Sequence, residues 1–191
     1  MHLNNLLKHQ NEQMTSDPSI SATLVMTPEE APREVLTWTG FGSATRELAQ
    51  EVADSGFEPD IVLAIARGGL TVAGALAYAL AVKNCFAMNV ELYTGVDRRL
   101  DVPVVLPPML DVLDLAGLNV LVADDVADTG KTLELVTSFI AEHVAEARSA
   151  VLYKKPWSVI EPEYVWCHTD RWINFPWSTE PPVVGGPNID A

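Results

Sequence analysis

Residues 119–132 read Asn119-Val120-Leu121-Val122-Ala123-Asp124-Asp125-Val126-Ala127-Asp128-Thr129-Gly130-Lys131-Thr132. Val120 to Ala123 is a short β-branched and apolar run, which predicts a buried parallel strand. Leu135, Val136, Phe139, Ile140 and Val144 recur at helical spacing, so a helix is expected to start near Gly130 and to run on from Leu133 to Ala147. Between strand and helix stand two adjacent carboxylates, a third carboxylate three residues later, and a small, hydroxylated turn. The first turn of a helix has free N–H groups and a partial positive charge, which favour an anion. Thr129 and Thr132 add hydroxyl donors, and Gly130 lets the backbone come close. Lys131 either adds its charge or points to solvent. A phosphate is the natural guest.

Asp124 and Asp125 fall at the carboxyl end of the expected strand, where open α/β sheets bind ligands. Carboxylates there accept hydrogen bonds from vicinal hydroxyls and attract Mg²⁺, directly or through its waters. Asp128 projects from the loop and can take or hold a proton on a reacting group. Gly130-Lys131-Thr132 looks like the end of an ATP-binding P-loop, but that motif needs glycine where this chain has Asp125. A plain strand-to-helix turn needs one capping residue, not three carboxylates and two threonines.

Working outward, Asp60 to Ala66 reads as a second buried strand, followed by Arg67-Gly68-Gly69 and a small-residue helix from Leu70 to Val82. The two glycines permit unusual backbone angles, and Arg67 is a forked cation suited to phosphate oxygens. Taken alone such a turn is common punctuation. Ser43 to Gly56 reads as an opening helix, Phe86 to Leu92 and Ser149 to Tyr153 as further strands, and Tyr93 to Pro108 as a long loop carrying Arg98 and Arg99. Strands alternating with helices imply a mostly parallel sheet covered on both faces. Lys154-Lys155-Pro156 ends the last of these strands, and Trp172-Ile173-Asn174-Phe175-Pro176-Trp177 supplies flat apolar faces beyond it. Trp166 and Trp177 are expected mainly to pack, and His143 and His168 have no visible catalytic partner. Residues 1–30 are expected to be a flexible tail, with a helical turn near Leu3 to Leu7. Met14 and Met26 offer later starts, and a second tail is expected from Thr179 to Ala191.

Hydrophobic strand, Asp124-Asp125 and Asp128-Thr129-Gly130-Lys131-Thr132 together resemble the phosphoribosyl-pyrophosphate (PRPP) signature of type I phosphoribosyltransferases. The resemblance covers Trp38 to about Ser178. It implies an α/β fold with a mostly parallel, Rossmann-like sheet flanked by helices and a hood, the domain spanning 31–178 with a base-binding part from about residue 154. It further implies transfer of a 5-phosphoribosyl group from PRPP to a 6-oxopurine with Mg²⁺. By this likeness Asp124 and Asp125 bind the ribose hydroxyls and metal, while Thr129, Gly130, Lys131 and Thr132 wrap the 5′-phosphate. Arg67 and Gly68 belong to the pyrophosphate turn, which often carries a strained or cis peptide next to the Arg position, and Arg99 to a mobile loop that closes over PRPP. Asp128 faces N7 of the base. Lys155 binds O6, Trp172 stacks on the ring and Ile173 offers its backbone, as in bacterial xanthine–guanine enzymes. Among the 6-oxopurines hypoxanthine, xanthine and guanine, Ser178, standing where those enzymes tend to have Asp, weakens the case for guanine and leaves hypoxanthine or xanthine open. The competing reading is a non-catalytic PRPP or nucleotide sensor of the same fold.

At 191 residues the chain suits one domain with a full core. A formal net charge of −14 argues against nucleic acid or an anionic membrane as partner. A chain this acidic must gather positive charge locally to hold a polyphosphate. Arg67, Arg98, Arg99, Lys131, Lys154 and Lys155 are half of its 12 basic residues, all near expected site loops. Cys85 and Cys167 lack metal-like spacing and suit a reducing cytoplasm. Family likeness adds a homo-oligomer, dimer or tetramer.

Overall fold

The structure, a computed structural model, describes residues 32–91, 94–95, 98–99, 104–105 and 115–184, with the backbone alone for 91–105. The tail expected at 1–30 and the end of the second tail, 185–191, lie outside the described residues. In chain order the elements are β1 (Glu34–Val35), α1 (Trp38–Asp54), β2 (Ile61–Ala66), α2 (Gly69–Ala79), β3 (Asn84–Glu91), β4 (Thr94–Gly95), β5 (Arg98–Arg99) and β6 (Val104–Val105). They continue with β7 (Asn119–Ala127), α3 (Lys131–Ala141), β8 (Glu146–Lys154), β9 (Tyr164–His168) and β10 (Ile173–Asn174).

Six strands form one sheet in the order β6-β3-β2-β7-β8-β9. Five of them run parallel, and β6 joins the end of β3 antiparallel. The apolar runs alternate between the two faces, as strand geometry requires. Val62, Ala64, Leu121, Ala123, Ala150 and Leu152 turn to one face with Leu48 and Val52 of α1 and Val72, Ala73 and Leu76 of α2. Ile61, Leu63, Ile65, Val120, Val122 and Val151 turn to the other, with Leu133, Val136 and Ile140 of α3. Small side chains on the first face of the central strands let the alanine-rich α2 lie close. This is the α/β architecture that the alternating pattern predicts.

Three expectations need correction. Helix α1 begins at Trp38, before Ser43, because Thr37 caps it: its Oγ1 accepts from Gly40 N at 3.1 Å. Helix α3 stops at Ala141 rather than Ala147, because the first residues of β7 need a partner. Asn119 pairs with Glu146, and Ala145 N donates to Leu118 O at 2.9 Å. Sheet pairing outweighs the helical spacing of Val144. The stretch read as loop after Tyr93 contains β4 and β5, paired with each other through Thr94 with Arg99 and Gly95 with Arg98.

Candidate active site

Strands β2 and β7 pair only from Ile61 with Val120 to Ala64 with Ala123. Beyond that point β2 stays with β3 as far as Asn89, and β7 stays with β8 as far as Lys154. The connections leave in opposite directions, so the two strands part at their carboxyl ends. This is the switch point where open α/β sheets form their crevice. β7 therefore runs further than its apolar core suggests, through Ala127, and carries Asp124 and Asp125 within the strand itself.

The turn after β2 presses against these acids. The Ala66–Arg67 peptide is cis. A Cβ at Gly68 would overlap the Asp125 carboxylate, and one at Gly69 would sit 2.5 Å from the Ala123 carbonyl oxygen. Glycine is required at both positions by this close approach. The Asp124 carboxylate accepts from Asp125 N at 2.9 Å and from the Gly69 N–H. Burial pushes the Asp124 carboxyl well above the usual carboxylate range, and the charge of Asp125 adds to the effect. Burial also raises Asp125, to about 6, against hydrogen bonds from Val126 N–H and the Trp177 indole. A half-buried acid pair of this kind favours a bound cation or sugar hydroxyls.

A cleft of about 910 Å³ opens over this switch point. It brings together Arg67, Gly68, Asp125, Asp128, Lys155, Trp172 and Ile173 of the residues expected at the site. Lys155 is buried, and its Nζ donates to the Arg171 carbonyl oxygen. Burial lowers its pKa, opposed by the charges of Asp128, Asp170 and Glu34. Its neighbour Lys154 is turned away, paired with Glu161 at 2.7 Å. Trp172 is exposed on the cleft wall. Glu34 N donates to Trp172 O at 2.8 Å and Leu36 N to Asn174 O at 3.1 Å. Alternation along β10 thus directs the backbone groups of Ile173 away from β1.

Asp124 lies behind Asp125 and does not line this cleft. Thr129, Gly130, Lys131 and Thr132 form the adjoining turn into α3, also outside that wall. Gly130 has φ +76°, a left-handed conformation, and a Cβ there would overlap Ser158 Oγ and crowd Ile160. The side chain of Arg99 lies outside the described residues; its backbone is in β5.

Several lining residues are not evident from sequence. Trp177 packs, stacked on Phe175 at 5.0 Å and edge-on to Phe41 at 5.4 Å, but it also borders the cleft and bonds Asp125. Trp166 fits the packing expectation better, edge-on to Tyr153 at 5.4 Å, with its indole donating to Glu47 at 2.7 Å. Arg33, which donates to Asn174 Oδ1 at 3.3 Å, reaches the cleft from before β1. Thr179, Glu180 and Pro182, at the start of the second expected tail, border the cleft too. A run of aromatic residues signals a wall, but nothing in the spacing tells which ring meets a carboxylate on another strand.

The family described as "Phosphoribosyl transferase domain" matches residues 33–183. A xanthine-guanine phosphoribosyltransferase from Ruegeria sp. (strain TM1040) is 31% identical over 166 residues, covering 78% of this chain and 89% of that protein. One of the same name from Idiomarina loihiensis is 30% identical over 145 residues, covering 74% and 84%. Among solved structures, a purine phosphoribosyltransferase from Pyrococcus horikoshii Ot3 superposes with TM-score 0.68 and 34% identity, covering 82% of this chain and 100% of that one.

Proposed function

This chain belongs to the phosphoribosyl transferase domain family, and from that membership we propose that it transfers the 5-phosphoribosyl group from PRPP to a 6-oxopurine, giving a nucleoside monophosphate and pyrophosphate. The observation that carries the reading is the cleft, which Asp125 and the Arg67–Gly68 turn line together with Lys155, Asp128 and Trp172. A ribose with a leaving group suits the first of these sets, and a flat ring with polar edges suits the second. The names of the Ruegeria and Idiomarina relatives agree with a purine acceptor.

A ring nitrogen of the base forms the new bond to the anomeric carbon while the bond to pyrophosphate breaks, through an oxocarbenium-like transition state. Asp125, with Asp124 behind it, holds the ribose hydroxyls. Thr129, Gly130, Lys131 and Thr132 hold the 5′-phosphate at the start of α3. Arg67 and Arg99 stabilise the departing pyrophosphate, an electrostatic contribution that is usually the largest. Asp128 accepts the N7 proton of the base, Lys155 donates to O6, Trp172 stacks on the ring and Ile173 meets its edge through the backbone.

Among the described residues no three His, Cys, Asp or Glu side chains gather into a cage for a metal. Mg²⁺ does not need one, since it takes one or two carboxylates and completes its shell with waters and substrate phosphates. The half-buried pair Asp124–Asp125 fits that role, and Mg²⁺ bound there with substrate would supply charge neutralisation for the pyrophosphate.

Cys85 and Cys167 are both free thiols, which supports a cytoplasmic setting. No helix among the described residues is long and apolar enough to cross a membrane. The dimer or tetramer expected by family likeness is measured by light scattering. The test of function is pyrophosphate release from Mg-PRPP with a panel of purines and pyrimidines. Release with a 6-oxopurine supports the reading. Tight PRPP binding without release on any base means a sensor instead.

A further inference from the structure

We propose that Trp157 is a positioning residue that sets the spacing between Asp128 and Lys155, and thereby the fit to a ring edge carrying a carbonyl beside an N–H. The inference rests on the base-transfer reading above. Asp128 and Lys155 both line the cleft, and Trp157 does not. Its indole Nε1 donates to Asp128 Oδ1 at 2.8 Å. The Lys155 ammonium lies 5.6 Å from the centroid of the same ring, within cation–π range. One side chain therefore touches the acceptor and the donor that read adjacent positions of the base.

The backbone makes Trp157 a fixed reference. Lys155 N donates to Ala127 O at 3.1 Å and Val159 N to Thr129 O at 3.0 Å, so the Trp157 loop is stitched to the β7 chain on either side of Asp128. Ser158 N closes the loop onto Lys155 O at 3.1 Å. The arrangement answers a physical difficulty. An exposed carboxylate beside a lysine tends to swing onto it, and an ion pair between them would hide both groups from a ligand. Among the described residues no ion pair joins Lys155 to Asp128. The Lys155 Nζ is held by the Arg171 carbonyl oxygen and the indole face, and Asp128 Oδ1 by the indole N–H. An ionised carboxylate has a second oxygen with full acceptor capacity, and an ammonium has three donors. Each group therefore keeps a site for the base while its position is fixed by Trp157.

Trp157 is 54% exposed and outside the core, so its replacement should leave the fold intact. Trp157→Phe keeps an aromatic face beside Lys155 and removes the N–H together with the five-membered part of the indole. Steady-state kinetics with a 6-oxopurine should show kcat/KM for the base lowered roughly 10- to 100-fold, the range carried by one hydrogen bond to a charged group. The Kd for Mg-PRPP, measured by calorimetry, should stay within about twofold of wild type. A smaller loss with the base, or a PRPP affinity falling in step with it, overturns the proposal. If wild type transfers phosphoribosyl to no purine, the fault lies with the proposed function, and the contact is decided separately by ¹⁵N NMR of the Trp157 indole. Its N–H resonance should move upfield in Asp128→Ala; an unmoved resonance overturns the proposal on its own.

Discussion

At the amino ends of β8 and β9, Arg148 donates to the Tyr164 hydroxyl at 2.7 Å and pairs with Glu146 at 2.7 Å, while its guanidinium covers the Phe57 ring at 4.6 Å. Glu163 accepts from both Ser149 N and Ser149 Oγ, at 2.6 and 2.7 Å, and Asp60 accepts from Asn119 N at 2.8 Å. At the carboxyl ends of β2 and β7, Asp125, Asp128 and Lys155 border a cleft of about 910 Å³ instead. Both ends hold charge. At one the partners are supplied by the fold, and at the other the groups are held in place beside space for a ligand. Taking charge out of water costs stability, so holding Asp125 and Lys155 beside the cleft points to binding, whereas the self-paired end points to structure.

Substitutions at the two ends should therefore separate activity from stability. The largest effect is expected for Asp128→Asn, which keeps size and removes the proton acceptor. Turnover should drop about 10²- to 10⁴-fold with PRPP affinity nearly unchanged. Equal loss in both would move Asp128 off the base side of the cleft. Next comes Gly68→Ala, whose methyl would displace the Asp125 carboxylate; a misplacement on the order of 1 Å costs about 10²-fold in kcat/KM. Wild-type kinetics in that variant would mean that the turn and the acid do not work together.

At the other end, Glu163→Ala leaves Ser149 N–H and Oγ–H without their acceptor. Chemical denaturation should show a loss of about 1–3 kcal/mol with kcat/KM within twofold of wild type. The smallest effect is expected from Tyr164→Phe, which removes a hydroxyl bonded to Arg148 and within 2.7 Å of Ser55 Oγ. It should cost about 0.5–1.5 kcal/mol and leave activity alone. A kinetic defect in either variant, larger than its stability loss explains, would dissolve the division between the two ends.

How far the sequence is legible follows the same division. The acid pair, the Asp128 turn and the Arg67-Gly68-Gly69 turn can be read because strand, turn and helix lie consecutively in the chain, and the chemistry is carried by residue type. Trp157 and Trp177 cannot be read that way. Each acts through a ring nitrogen on a carboxylate of another segment, and only the fold brings them together. Arg33 escapes notice for a similar reason, since β1 is two residues long and exists by pairing with β10. The end of α3 was hidden by periodicity: Val144 suits a helix face, yet the edge of β7 claims Glu146. Local pattern fixes what a segment prefers, and pairing across the sheet decides where it stops.

The most direct test of the account is the ratio of kcat/KM for 6-oxopurines to that for adenine with Mg-PRPP. A site that donates from Lys155 and accepts at Asp128 should favour at least one of hypoxanthine, guanine and xanthine over adenine by about 10³-fold or more, since an amino group at position 6 leaves the lysine unpaired. Equal use of adenine, or no transfer to any 6-oxopurine, would contradict it.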